Sequence, residues 1–141
     1  IGLGSPNKYD LRNPFTAKES AEMIDCVLKP KYKNYLFVEV PDFDNPPLWR
    51  NFVIDLFGNL DYFVTENDFV AELLRDKYKI LDSSEFVPSS QQFVHATQVR
   101  QAMAKNYAWE HFVPGVVVDY IKKNHLDERF RREFSYVTLR S

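Results

Sequence analysis

Thr97 and Arg100 stand one helical turn apart, within a stretch from Val94 to Ile121 where Val99, Ala102 and Met103 share a helical face. Thr97 is read as the N-cap of this helix, with first-turn backbone N–H groups pointing outward without intrahelical partners. Arg100 then lies in the first turn, where a cation opposes the helix dipole. A hydroxyl, unpaired N–H groups and an arginine gathered at one helix start suit an anion, and phosphate is the obvious one. The same residues also read as a capped surface helix carrying a solvated arginine.

Composition bounds what can surround them. The 141 residues fit one domain, large enough to bury about two-thirds of the surface its unfolded chain exposes. Apolar residues make up 45% and aromatics 16%, so a packed core is expected. A net charge of -2 and a pI near 5.9 give no general electrostatic case for nucleic acid or a membrane, so an anion site must be local. The single cysteine, Cys26, excludes an intrachain disulfide and a Cys-rich zinc site, and no metal-ligand cluster is predicted. No apolar run reaches bilayer length and no signal peptide is visible, so a reducing, cytoplasmic setting is expected.

The elements that must position the pair can be read in order. Ile1 to Ser5 reads as the end of a buried strand running into a loop. Thr16-Ala-Lys-Glu19 is read as a capping box opening a helix with Met23, Ile24, Val27 and Leu28 inward, ended by Pro30. Tyr35–Val40 is a predicted strand, followed by a loop from Pro41 to Pro47 too rich in proline to be regular. Leu48–Phe57 is a predicted helix with Phe52, Val53, Leu56 and Phe57 inward and Gly58 as its stop. Asp61–Thr65 is a further strand, and Glu66-Asn-Asp68 caps a helix with Phe69, Val70, Leu73 and Leu74 on its apolar stripe. Tyr78–Leu81 is the fourth strand, and a Ser- and Gln-rich loop runs from Ser83 to Gln92. After the opening stretch, Pro114 begins a helix over about Gly115–Lys123. Leu126–Phe134 is an amphipathic piece with Arg129, Arg131 and Arg132 on its polar side, and Val137–Ser141 takes no assignment.

Alternating strands and helices are the signature of βαβ units on a parallel sheet. The predicted fold is a single α/β domain over 1–141: a Rossmann-like parallel sheet with flanking helices and a C-terminal helical part over about 97–134. In such sheets ligands bind outside the carboxyl ends of the strands. Gly4-Ser5, Asp42 to Trp49, Thr65 to Asp68 and Ser83 to Arg100 fall at those ends and are expected to share one rim.

These segments also form an ordered series: Gly4-Ser5, Arg12-Asn-Pro-Phe-Thr-Ala17, Pro41-Asp42 with Asn45 and Trp49, Glu66-Asn67, His95-Ala-Thr-Gln-Val-Arg100, and Phe112-Val-Pro114. The series resembles the archaeal-type nicotinamide-nucleotide adenylyltransferases, within the HxGH nucleotidyltransferases, over Ile1 to about Ile121. The resemblance implies transfer of AMP from ATP to nicotinamide mononucleotide (NMN), giving NAD and pyrophosphate, with Mg²⁺ accompanying ATP and a homo-oligomeric assembly. It implies that Thr97 and Arg100 hold the ATP phosphates with His95 as their neighbour. Arg100 would stabilise charge as pyrophosphate leaves. Trp49 would pack on the nicotinamide ring, Asp42 and Asn45 would contact its amide, and Gly4, Ser5, Phe15 and Asn67 would line the mononucleotide side.

Each position has a plainer reading beside that one. Trp49 reads equally as core, Phe15 as a hydrophobic staple beside Thr16, Asn67 as a helix cap, and Asp42 and Asp44 as solvated acids. Lys8 reads as solvated or as a phosphate contact. The sequence departs from the family at Ser20, where arginine is common, at Pro46, where an amide is usual, and at Val94-His95-Ala96. His95, His111 and His125 are never spaced as HxGH. The opening on Ile1, mid-strand and without methionine, predicts that the family's first βα unit, which carries those histidines, is missing from the given chain because it lies upstream. Natural truncation, or supply of that unit by an assembly, is the alternative. The competing functions are a catalytically inactive nucleotide-binding module, a nucleotidyltransferase for a different phosphorylated acceptor, and an α/β interaction protein.

Overall fold

A computed structural model describes residues 1–87 and 95–138. Val94, the end of the Ser- and Gln-rich loop and the last three residues lie outside them. In chain order the elements are β1 (Gly2–Gly4), α1 (Ala17–Leu28), β2 (Val38–Val40), α2 (Pro46–Phe57), β3 (Phe63–Val64), α3 (Asp68–Leu74), β4 (Ile80–Leu81), α4 (Ala96–Ala104), α5 (Gly115–Lys123) and α6 (Leu126–Thr138). Single 3₁₀ turns occupy Ser83–Glu85 and Glu110–Phe112. This is the α/β class expected, with parallel strand pairs, helices between them and a helical C-terminal part. No helix of the described residues is long and apolar enough to cross a membrane.

The chain divides into two compact units, Ile1–Pro41 with Phe93–Ser141, and Asp42–Gln92. In the first, β1 pairs in parallel with β2, Leu3 opposite Glu39. Ser5 N–H donates to the Val40 carbonyl at 3.0 Å, carrying the ladder to the point where the chain leaves the strand. The capping box forms as read: Glu19 N–H donates to Thr16 Oγ1 (3.2 Å) and Thr16 N–H to Glu19 Oε2 (2.9 Å). The core sits among the C-terminal helices, where Trp109, Phe130, Met103, Ile121 and Leu126 are buried together. Helix α4 packs on α6 and α1 on α5. Asn106, at φ 54°, ends α4 in a Schellman turn, with Tyr107 N–H to the Ala102 carbonyl and Asn106 N–H to that of Met103.

In the second unit β3 pairs in parallel with β4, Phe63 opposite Ile80. Val53, Leu74 and Tyr78 are its buried side chains, and the Tyr78 ring stacks on Phe63 at 5.7 Å. Gly58 stops α2 at φ 61°, as its position required.

Several expectations need correcting. The strands are shorter than their β-branched and aromatic runs suggested: Leu36 is 65% exposed, and pairing begins only at Val38. The prolines at 46 and 47 belong to α2, whose first turn needs no N–H donors. Phe69 is 59% exposed rather than inward, and Leu56 is exposed as well. Thr97 is not the N-cap. His95 holds that position with extended backbone and no side-chain cap bond, and Thr97 lies within the first turn. Helix α6 runs on to Thr138, and Arg129 lies in a packed seam rather than on a solvated face.

Candidate functional site

At the carboxyl end of β1 the first unit opens into a cavity of about 390 Å³, a volume within the ordinary range for small-molecule sites. One wall is the end of the strand, Gly4, Ser5 and Pro6. Ser5 has φ 55°, a left-handed conformation uncommon for a non-glycine residue, at the point where the chain turns over the cavity mouth. A second wall is the loop into α1, with Arg12, Asn13, Pro14 and Phe15, followed by Ala17 and Ser20 of the helix. Helix α4 supplies the third through Ala96, Val99, Arg100 and Met103, and Phe130 of α6 reaches the cavity from the core.

The loop wall is held rigidly. Asp10 Oδ1 accepts the backbone N–H groups of Arg12 (2.8 Å) and Asn13 (2.9 Å) and the Asn13 amide (3.1 Å). These bonds, the Asn13 N–H first, hold the Asp10 carboxyl below its ordinary value. Arg129 of α6 anchors the far end. Its Nη2 donates to the Pro14 carbonyl at 3.1 Å, and the guanidinium grips both oxygens of Glu19, at 2.6 and 2.7 Å.

Two guanidinium groups line the cavity. Arg100 Nη2 donates to Thr97 Oγ1 at 3.2 Å, so the two side chains stand together although Thr97 is not the cap. Burial lowers the Arg100 pKa, and the positive charge of Arg12 lowers it further, yet an arginine stays charged near neutrality. Among the described residues no carboxylate pairs with either guanidinium. Among the described residues the N-terminus of α4 has no side-chain cap, and in its first turn the Gln98 N–H donates to the His95 carbonyl at 2.8 Å.

The cavity therefore gathers Gly4, Ser5, Phe15 and Arg100, with Thr97 bonded to Arg100. Phe15 both lines it and packs on the core cluster. His95 is exposed at the head of α4. Asp42, Asn45, Trp49 and Asn67 belong to the second unit. There Asn45 caps α2 by accepting from Leu48 N–H (3.0 Å), and Trp49 is half-buried in the following turn. Asn67 caps α3, its Oδ1 accepting from Phe69 N–H (3.0 Å) and Val70 N–H (3.2 Å). Both caps use the amide oxygen and leave the Nδ2 donors for other partners. Asp42 is half-buried.

Arg12 is the residue the sequence reading missed as a site candidate. Its signal was the turn signature Asp10-x-x-Asn13 in the loop between β1 and α1, which holds Arg12 in a fixed turn.

In α/β units with parallel strands, ligands bind outside the carboxyl ends of the strands, and comparison with known proteins gives the class: nucleotidyltransferase enzymes. Over 136 residues the chain is 33% identical to a nicotinamide-nucleotide adenylyltransferase of Thermococcus sibiricus, covering 93% of this chain and 72% of that protein. The corresponding protein of Pyrococcus furiosus is 32% identical over 137 residues, covering 93% and 71%. That of Methanococcus vannielii is 34% identical over 122 residues, covering 86% and 70%. No family model matches the chain. The chain belongs to the archaeal nicotinamide-nucleotide adenylyltransferase family.

Proposed function

We propose that this protein transfers AMP from ATP to NMN, giving NAD and pyrophosphate. A phosphate oxygen of NMN attacks the α-phosphorus of ATP, and the bond to the bridging oxygen of the β-phosphate breaks. Charge grows on the departing pyrophosphate, so fixed cations close to it lower the barrier without proton transfer. The observation that carries this reading is Arg100: half-buried in a strand-end cavity and, among the described residues, bonded to the neutral Thr97 hydroxyl and paired with no carboxylate, in a chain of this family.

In this reading Thr97 and Arg100 hold the ATP phosphates, with His95 beside them, while Gly4, Ser5 and Phe15 face the mononucleotide. In the second unit Trp49 stacks on nicotinamide, Asp42 and Asn45 meet its amide, and Asn67 lends its Nδ2 donors. In this reading Mg²⁺ accompanies the ATP phosphates. The reading includes a cytoplasmic location for NAD synthesis and a homo-oligomeric state, for which exposed Tyr107 and Tyr136 offer aromatic surface. Sedimentation measures the stoichiometry.

The test is NAD formation from Mg-ATP and NMN by the full chain. Turnover of another phosphorylated acceptor, with none of NMN, retains adenylyl transfer and removes this substrate. A second reading is binding without turnover. Calorimetric affinity for ATP and NMN together with no NAD decides for it.

A further inference from the structure

Of the described arginines, Arg50, Arg75, Arg129, Arg131 and Arg132 each pair with a carboxylate. Arg12 and Arg100 do not, and both line the cavity at the end of β1. Their positive charges act on each other, an interaction that costs free energy in the empty site and reverses when an anion of at least equal charge lies between them. The acid best placed by sequence to neutralise Arg12 is Asp10, and its Oδ1 is committed to three donors of its own turn. That turn also fixes the backbone of Arg12 through a 2.8 Å bond, so the side chain projects from a rigid base. Among the described residues the side-chain partner of Arg100 is a neutral hydroxyl, and no described acceptor takes its other N–H donors. Ser20, on the opposing α1 wall, adds a hydroxyl and no charge.

We propose that Arg12 and Arg100 form a two-armed clamp for one phosphoryl group of a nucleotide, and that Arg12 makes the site discriminate phosphorylated ligands from their dephosphorylated counterparts. The clamp deepens the reading above, from which it takes only the choice of nucleotides to test. A phosphoryl dianion matches the paired charge, and two planar guanidinium forks approaching from different walls can engage separate oxygens.

The experiment is calorimetric titration of the full chain with ATP and NMN, alongside adenosine and nicotinamide riboside. Arg12→Ala is expected to weaken one of the nucleotides by about ten- to a hundredfold, the worth of a charge-assisted contact, and to leave the nucleosides unchanged. The nucleotide that suffers identifies the source of the phosphate: ATP for the triphosphate, NMN for the monophosphate. Arg12→Lys should fall between, since an ammonium keeps the charge and loses the fork. In the Arg12→Ala, Arg100→Ala double variant the loss should be smaller than the product of the single losses, because both arms serve one seat. The unliganded Arg12→Ala chain should melt no lower than the parent, since a like-charge contact has been removed.

Unchanged affinity for both nucleotides in Arg12→Ala overturns the clamp. So does an equal loss for nicotinamide riboside, or a lowered melting temperature that accompanies lost binding. The two readings fail separately. A chain that makes NAD but ignores Arg12→Ala keeps the function and loses the clamp. A chain that makes no NAD but loses phosphate-dependent affinity with Arg12 does the reverse.

Discussion

Two arginine environments lie within the first unit, and they use the same side chain in opposite ways. In the α1–α6 seam Arg129 is three-quarters buried, bidentate to Glu19 and bonded to the Pro14 carbonyl; only its Nε lacks a partner. Every useful charge there is cancelled by structure. In the cavity Arg12 and Arg100 meet no carboxylate of the described residues and oppose each other. The regions are joined in sequence by the segment from Asp10 to Glu19. Its one end presents Arg12, and its other end is pinned by Arg129 through Pro14 and Glu19. The seam thus uses electrostatic free energy to fix a loop whose charge is held ready for a ligand. A paired arginine marks what must not move, and an unpaired one in a cavity marks what something else must complete.

The sharpest way to break this contrast is to exchange the effects of the two arginines. Arg129→Ala leaves Glu19 half-buried without its cation and the Pro14 carbonyl without its donor. It should cost about 3 kcal/mol, the lower end for breaking a buried pair, because both groups keep some exposure. Urea denaturation measures this, and a loss below about 1 kcal/mol would demote the seam to an ordinary surface ion pair. Arg100→Ala should do the opposite. It should weaken triphosphate binding by about 1.5–3 kcal/mol with little change in the denaturation midpoint. An unchanged affinity removes Arg100 from the site.

The seam also predicts an acid response that the cavity does not share. The hydrogen bond from Arg129 is the main reason the Glu19 carboxyl sits below its ordinary value of 4.5, with the Thr16 N–H helping. The folded pKa is depressed, so its stabilising contribution is complete above pH 4.5 and is lost as pH falls through the folded value. Denaturation midpoints from pH 7 down to pH 3 should therefore drop more steeply for the parent than for Arg129→Ala, and the two curves should converge in acid. Parallel curves would mean that Glu19 is not the group linking the seam to pH.

What could be read in the sequence was local. The capping box at Thr16–Glu19, the Gly58 stop, the helix following Pro114 and the cap at Asn67 all depend on residues within one or two turns, and all are present. What escaped the reading depended on distance. Arg129 looked like part of a polar face because its partner, Glu19, lies 110 residues earlier. Arg12 looked like part of a motif phrase because the wall opposite it, α4, is supplied by a segment more than eighty residues on. Thr97 was misplaced for a subtler reason. A threonine before an apolar face satisfies the N-cap preference, but the N-cap backbone belongs to His95, and the threonine hydroxyl, inside the first turn, accepts from Arg100. The strands were overestimated because β-propensity reports a side chain that fits a half-buried surface, and Leu36 had no such surface.

The smallest predicted effect concerns Asn67, where capping and binding can be separated by a single oxygen-for-nitrogen exchange. Its Oδ1 receives two N–H groups at the head of α3, and its Nδ2 takes no part in that cap. Asn67→Ala removes the cap and should cost about 1 kcal/mol of stability. Asn67→Asp retains an acceptor in the same place and adds a negative charge at a helix N-terminus, so stability should hold within a few tenths of a kcal/mol or improve. The aspartate nevertheless loses both donors and introduces a charge that opposes any phosphate close by. If Asn67 only caps α3, NMN affinity in Asn67→Asp should match the parent. If its Nδ2 serves the mononucleotide, affinity should fall while the denaturation midpoint does not. The cavity arginines need no such separation, because the described structure gives their charge no other employment.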